Sequence, residues 1–173
     1  NPVWDTLAVA KITNYPFEKG AFKPFAQVRA CVNEQGLHLR MWAFEPVKRP
    51  NSLIIATFQF LKNSDRTLTV TLYGDGRVKI FIRDNGDDTL LESQPQVKFF
   101  EGEDLEGIYW GACVTISSEL IKKYFDNLSL SAGYTFKGNF FKTCTDPDFD
   151  HAGCFSYVDV PKSTGIFDKR RYD

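Results

Sequence analysis

The chain is poor in the side chains that most often carry chemistry. It has two histidines and one methionine among 173 residues. Histidine-based acid–base schemes therefore have only His38 and His151 to draw on. There is no P-loop, no GxGxxG turn and no HExxH pair, so the common phosphate, dinucleotide and zinc-peptidase signatures are missing. Positive charge is not in excess: 21 Lys and Arg stand against 22 Asp and Glu, for a net charge of −1. Nothing here holds a phosphate backbone, which argues against a nucleic-acid partner. No apolar run approaches the roughly 20 residues of a membrane helix. The longest, Leu53 to Leu61, is broken by Thr57 and Gln59. The start, NPVWDTL, shows neither a basic stretch nor an apolar signal core. Either the chain is cytoplasmic or a leader has been removed. The four cysteines, Cys31, Cys113, Cys144 and Cys154, form no CxxC pair, against a zinc ribbon or a thioredoxin-type site. Cys144 and Cys154 flank one loop and could pair in an exported protein. The alternative is four buried or free thiols.

What the chain does have is aromatic bulk. Aromatics are 15% of residues and Phe supplies 16, enough to fill a thick sheet-on-sheet core. The length fits one domain spanning residues 1–173. Strand patterns dominate. Ala26 to Val32 and Leu37 to Phe44 alternate around the turn Asn33 to Gly36 and read as a hairpin. Ser52 to Leu61 is apolar on both faces, as in a buried central strand. Thr67 to Tyr73 and Arg77 to Arg83 form a second hairpin, with Leu68, Val70, Leu72, Val78, Ile80 and Ile82 inward and the threonines on a wet face. DNGDD, Asp84 to Asp88, is a turn. Gln96 to Phe100, Ile108 to Ile116, Tyr134 to Thr143 and Phe155 to Val160 are further strands. Ser117 to Asn127 is a short helix, capped by Ser117, with Leu120, Ile121, Tyr124 and Phe125 as its apolar stripe. The fold class is all-β: an antiparallel two-sheet sandwich, jelly-roll-like, with one short helix near 117–127. An up-and-down lipid-binding barrel is the competing architecture.

Three features could carry function. Trp42 shares a strand face with His38 and Arg40, and Arg29 on the paired strand reaches the same face. An indole beside guanidinium groups suits a sugar, whose apolar face stacks on the ring while charged groups bond its hydroxyls. The alternative is a Trp lying under the N-terminal segment. Trp110 alternates with Ala112, Val114 and Ile116 and belongs to the core; Trp4 pins the chain end. In the loop Thr145 to Gly153, Asp146, Asp148 and Asp150 alternate at a spacing that could converge on structural calcium. That loop lacks the Gly and Glu of an EF-hand. His151 lies three residues before Cys154, yet no oxyanion-forming turn accompanies the pair. No catalytic residue is nominated, and no two carboxylates are paired as a glycosidase requires.

The run IYWGACVTIS (Ile108 to Ser117), then GNFFKTCTDPDFDHAGCFSYVDVP (Gly138 to Pro161), resembles family 9-like carbohydrate-binding modules. Asn139, Phe140, Phe141, Lys142, Asp146 and His151 match the family's Asn-Phe-Tyr-Lys run, acidic turn and His-containing stretch. Trp4 and the segment Lys23 to Glu45 resemble its opening. The resemblance implies a non-catalytic β-sandwich that binds oligo- or polysaccharide. It also implies association with a glycoside hydrolase in polysaccharide degradation, structural calcium, and an extracellular setting. The family holds its sugar between two Trp side chains. Here Cys154 and Phe155 stand at one of those places, and no aromatic stands near Arg49 to Ser52 at the other. The expected ligand contacts are Trp42, Arg40, Arg29, Glu45, Asn139 and His151. An internal site for an apolar ligand and a glycoside-processing enzyme are the competing functions.

Overall fold

The computed structural model describes residues 3–18 and 22–157. Among the described residues a short 3-10 turn, Trp4–Thr6, leads into eleven strands and one helix. The strands are β1 (Ala10–Ile12), β2 (Ala26–Asn33), β3 (Gly36–Phe44), β4 (Ser52–Gln59), β5 (Thr67–Tyr73), β6 (Val78–Asp84), β7 (Asp87–Leu90), β8 (Gln96–Asp104), β9 (Gly107–Ser117), β10 (Lys137–Cys144) and β11 (His151–Cys154). Helix α1 is Ser118–Tyr124. One sheet has the order β1-β2-β3-β9-β8 and the other β11-β10-β4-β5-β6-β7. Neighbouring strands are antiparallel throughout. The sheets do not close on themselves, so the architecture is a sandwich and not the barrel.

Alternation in the sequence sets the inner faces. Val28, Leu39, Met41, Trp110, Ala112 and Val114 of the first sheet meet Ile54, Ala56, Leu68, Val70 and Ile80 of the second in one buried cluster. Burying a large apolar side chain contributes about 1.5–3 kcal/mol, and a dozen such side chains offset much of the chain's lost entropy. At one end Phe60 lies stacked on Phe58 and edge-on to Phe125 and Phe136. These rings close that end of the core. Helix α1 starts where the sequence places it: the Ser117 hydroxyl accepts from Leu120 N at 3.2 Å, satisfying a free first-turn donor.

Several expectations need adjustment. Thr67, Thr69 and Thr71 do not face water; they are 5%, 1% and 4% exposed. The Thr69 hydroxyl is met by that of Thr57 at 3.1 Å, which offsets its burial, whereas Thr67 Oγ1 is buried without a partner among the described residues. The last expected strand, Phe155 to Val160, is displaced: the strand is His151–Cys154, and 158–160 lie outside the described residues, as do the chain's final residues RRYD. Short edge strands β1 and β7 carry too little pattern to be read in advance.

Candidate functional site

Antiparallel pairing brings the ends of β3, β4, β10 and β11 to one end of the sandwich. Lys142, opposite Ile54 and Gly153, points between the sheets and is fully buried. Its Nζ lies 3.2 Å from Glu45 Oε1. It donates to Ser52 Oγ at 2.6 Å and to His151 Nε2 at 2.9 Å. Ser52 Oγ donates to Glu45 Oε2 at 2.8 Å, and Trp110 Nε1 donates to the same oxygen at 2.9 Å. His151 Nδ1 donates to Phe149 O at 2.6 Å, which leaves Nε2 as an acceptor for the ammonium. Burial, and then the Lys142 charge, pull the His151 pKa down to about 4. Burial also lowers the Lys142 pKa, against the pull of Glu45. This chain of groups joins four strand ends, and water does not reach it.

The acidic loop folds onto Arg49. The guanidinium carbon sits 3.4 Å from the Phe149 ring centre, and Nε lies 3.4 Å from Asp146 Oδ2. Asp146 also accepts from Asp148 N at 3.2 Å. Among the described residues, Asp146, Asp148 and Asp150 do not gather into a set that could hold a metal ion. Arg49 thus stands, stacked on a Phe, in the stretch where the family's second Trp was expected.

The six residues expected to touch a ligand fall into separate places. Glu45 and His151 are joined through Lys142 in the buried chain. Asn139 is a clamp: its Oδ1 accepts from Phe140 N at 2.8 Å and Ser156 N at 3.0 Å, fixing the segment after β11. Trp42, Arg40 and Arg29 do come together, on the outer face of the five-stranded sheet. The Arg40 and Arg29 guanidinium carbons lie 5.1 Å and 6.0 Å from the Trp42 ring centre. Arg29 donates to Trp4 O, so the 3-10 turn lies beside this group. Trp42 is half-buried there. Trp110 is core, 3% exposed, as its alternation indicates.

Sequence reasoning missed an open cleft of about 640 Å³ at the rim between the sheets. Its walls include Lys48 and Pro50 from the β3–β4 loop, Tyr73 and Asp75 from the β5–β6 turn, and Phe99 and Glu101 from edge strand β8. Trp110 forms part of its floor. Phe99 is 49% exposed, which leaves an aromatic face open to the cleft. Lys48 pairs with Glu101, and Arg77 lies 4.6 Å over the Tyr73 ring. Aromatic faces beside paired charges offer both apolar stacking and hydrogen bonds at fixed positions. The signal in the sequence was the Phe99–Phe100 pair, but only the topology shows that β8 is an edge.

The chain is thus an antiparallel two-sheet sandwich with an open cleft at its rim. No family model and no curated protein matches the chain. Among solved structures it is similar to a candidate carbohydrate-binding protein from Bacteroides uniformis, at TM-score 0.71 and 17% identity, over 91% of this chain and 81% of that one. It is also similar to a family 9 carbohydrate-binding module from Caldicellulosiruptor kristjanssonii in complex with cellotriose, at TM-score 0.57 and 9% identity, over 94% of this chain and 79% of that one. The module in complex with glucose gives TM-score 0.51 and 10% identity, over 94% and 81%. The chain therefore has the fold of family 9 carbohydrate-binding modules.

Proposed function

We propose that this protein is a non-catalytic carbohydrate-binding module and that the rim cleft receives the sugar. The observation that carries the reading is the exposed Phe99 ring facing a cleft that also holds Tyr73, Lys48, Asp75 and Glu101. A pyranose presents an apolar face and a rim of hydroxyls, and this cleft offers a partner for each. Each nearby acid is tied to a cation, Asp75 to Arg77 and Glu101 to Lys48. Glu45 is sealed from water. Those pairings support binding over bond cleavage, which needs two carboxylates free to face a substrate. On this reading the chain serves an extracellular, polysaccharide-degrading enzyme as its targeting unit.

The test is calorimetric titration of the parent, Phe99→Ala and Trp42→Ala with neutral gluco- and xylo-oligosaccharides, with and without calcium. Saturable binding by the parent, weakened about tenfold or more in Phe99→Ala, is expected. Trp42→Ala should bind neutral sugars as the parent does. Loss in Trp42→Ala alone would move the site to the outer sheet face. An absence of heat with every sugar at millimolar concentration overturns the reading.

A further inference from the structure

The outer face of the five-stranded sheet carries a pattern of its own. Two rows of paired residues cross it. One runs Lys11, Gln27, Trp42, Gly111, Phe100 over all five strands, and the next runs Arg29, Arg40, Cys113, Lys98 over four. The first row is aromatic around a glycine, and the second is cationic. A side chain at Gly111 would collide with Met41 O, Trp42 Cβ and Phe100 Cζ, at 2.2 Å, 2.6 Å and 2.8 Å, so the glycine lets the Phe100 ring lie over the strand beside Trp42, at the border where Phe100 and Gly111 also line the rim cleft. Arg40 lies over both, 5.1 Å and 5.4 Å from their ring centres. Burial pushes the Cys113 thiol up, while Arg40 and Lys98 both pull against it, as cations on either side of it must.

Charge on this face is one-sided although the chain as a whole is near neutral. Lys11, Arg29, Arg40 and Lys98 point outward, and the one strand carboxylate on the face, among the described residues, is Asp104 at the far end of β8. A second carboxylate comes from outside the sheet. Asp5, in the 3-10 turn, has its Oδ1 3.7 Å from Arg29 Nη1 and 3.8 Å from Arg40 Nη1. That side chain is 91% exposed. It is an exposed carboxylate within ion-pair reach of both guanidinium groups, at a place that a ligand's carboxylate could take. Arg29 Nε is buried and without a hydrogen-bond partner.

We propose that this face is a second glycan-binding surface, selective for a polysaccharide bearing uronate carboxylates. Sugar rings lie along the Trp42–Phe100 row, and successive carboxylates meet the Arg29–Arg40–Lys98 row. Neighbouring strands are about 4.8 Å apart, close to the advance per sugar of an extended glycan; Arg29 and Arg40 stand one such step apart, and Lys98 stands two steps beyond Arg40, across Cys113. The choice of a glycan as the polyanion rests on the carbohydrate reading above; the cationic row itself does not. Asp5 competes with the ligand for Arg29 and Arg40.

The test measures binding of polygalacturonate and of a neutral glucan of similar length to the parent, Lys98→Gln, Arg40→Gln and Asp5→Asn. The parent should bind polygalacturonate in a salt-sensitive way. Lys98→Gln should weaken it severalfold and Arg40→Gln more, while Asp5→Asn tightens it. Lys98 is exposed on an edge strand, so its loss tests the row even if Arg40→Gln folds poorly. Neutral oligosaccharide binding should be unchanged in Lys98→Gln. Polygalacturonate binding that ignores Lys98, Arg40 and Asp5 overturns the proposal. So does a single-stranded nucleic acid that competes as well as polygalacturonate, because the face would then be a general polyanion surface. Neutral sugars binding without polygalacturonate would sink this proposal alone; the reverse result would sink the rim cleft and leave this face standing.

Discussion

A charged pair wholly out of water, as Glu45 and Lys142 are, costs stability unless each polar atom around it is met. Here Ser52, Trp110 and His151 supply the bonds. Lys142→Met keeps the bulk and removes the charge, leaving Glu45 buried without its cation. It should destabilise by about 3–5 kcal/mol in chemical denaturation, and a loss below about 1 kcal/mol would show that the buried pair contributes little. His151 gives the group a pH dependence. Its pKa is about 4 when folded against 6.5 for the free side chain, so the unfolded chain takes up the proton first. Stability should therefore fall as pH drops from about 6.5 towards 4, by up to roughly 3 kcal/mol, and stay level for this group below that. His151→Gln should flatten that slope in unfolding curves measured across the window. The sequence nominated Glu45 and His151 as ligand groups because it shows which side chains are present. It does not show that β10 and β11 bury them beside Lys142. Trp42 with Arg29 and Arg40 was legible, because period-two alternation and a short hairpin place them on one face without tertiary information.

Elements with strong local rules were readable, and those set by neighbours were not. The hairpin of β2 and β3 and the strand β9 follow alternation closely, since a one-residue slip would turn their apolar side chains outward. Helix α1 followed from its cap. Ser117→Ala should cost about 1 kcal/mol in thermal or chemical unfolding; no change would mean that water replaces the cap. The wet face assigned to β5 was wrong because threonine suits a covered face as well as an open one. The open side of β8 could not be read either, since only strand order makes it an edge, and with it went the rim cleft. Gly111 tests how tightly the first sheet is set. A Cβ there meets backbone of β3 at 2.2 Å, and Gly111→Val should destabilise by about 1–3 kcal/mol through overpacking. Its effect should exceed that of the cap.

For the molecule as a whole, the open question was whether covalent links hold the sheets together, and strand register answers it. Cys154 pairs with Phe141, and Cys144 with His151, on the same two strands. The two thiols are thus three positions apart along the ladder, about 10 Å at the usual rise per residue, beyond the Cα separation of about 7 Å that a disulfide spans. Cys31 lies opposite His38 and Cys113 opposite Arg40, with β3 between their strands. None of the four cysteines is joined in a disulfide. Nearness in sequence suggested a bridge across the acidic loop; the hairpin geometry of β10 and β11 forbids it without moving a strand. Stability then rests on the shared apolar core and the buried chain at its end. Thiol titration of unreduced protein in denaturant should count four thiols per chain. The melting temperature should be the same with and without reductant. Two thiols, a mass lower by two hydrogens and a melting point that falls on reduction would show that β11 shifts along β10 by enough to pair Cys144 with Cys154. His151 would then leave Lys142, and the pH slope argued for His151 would vanish in the same sample.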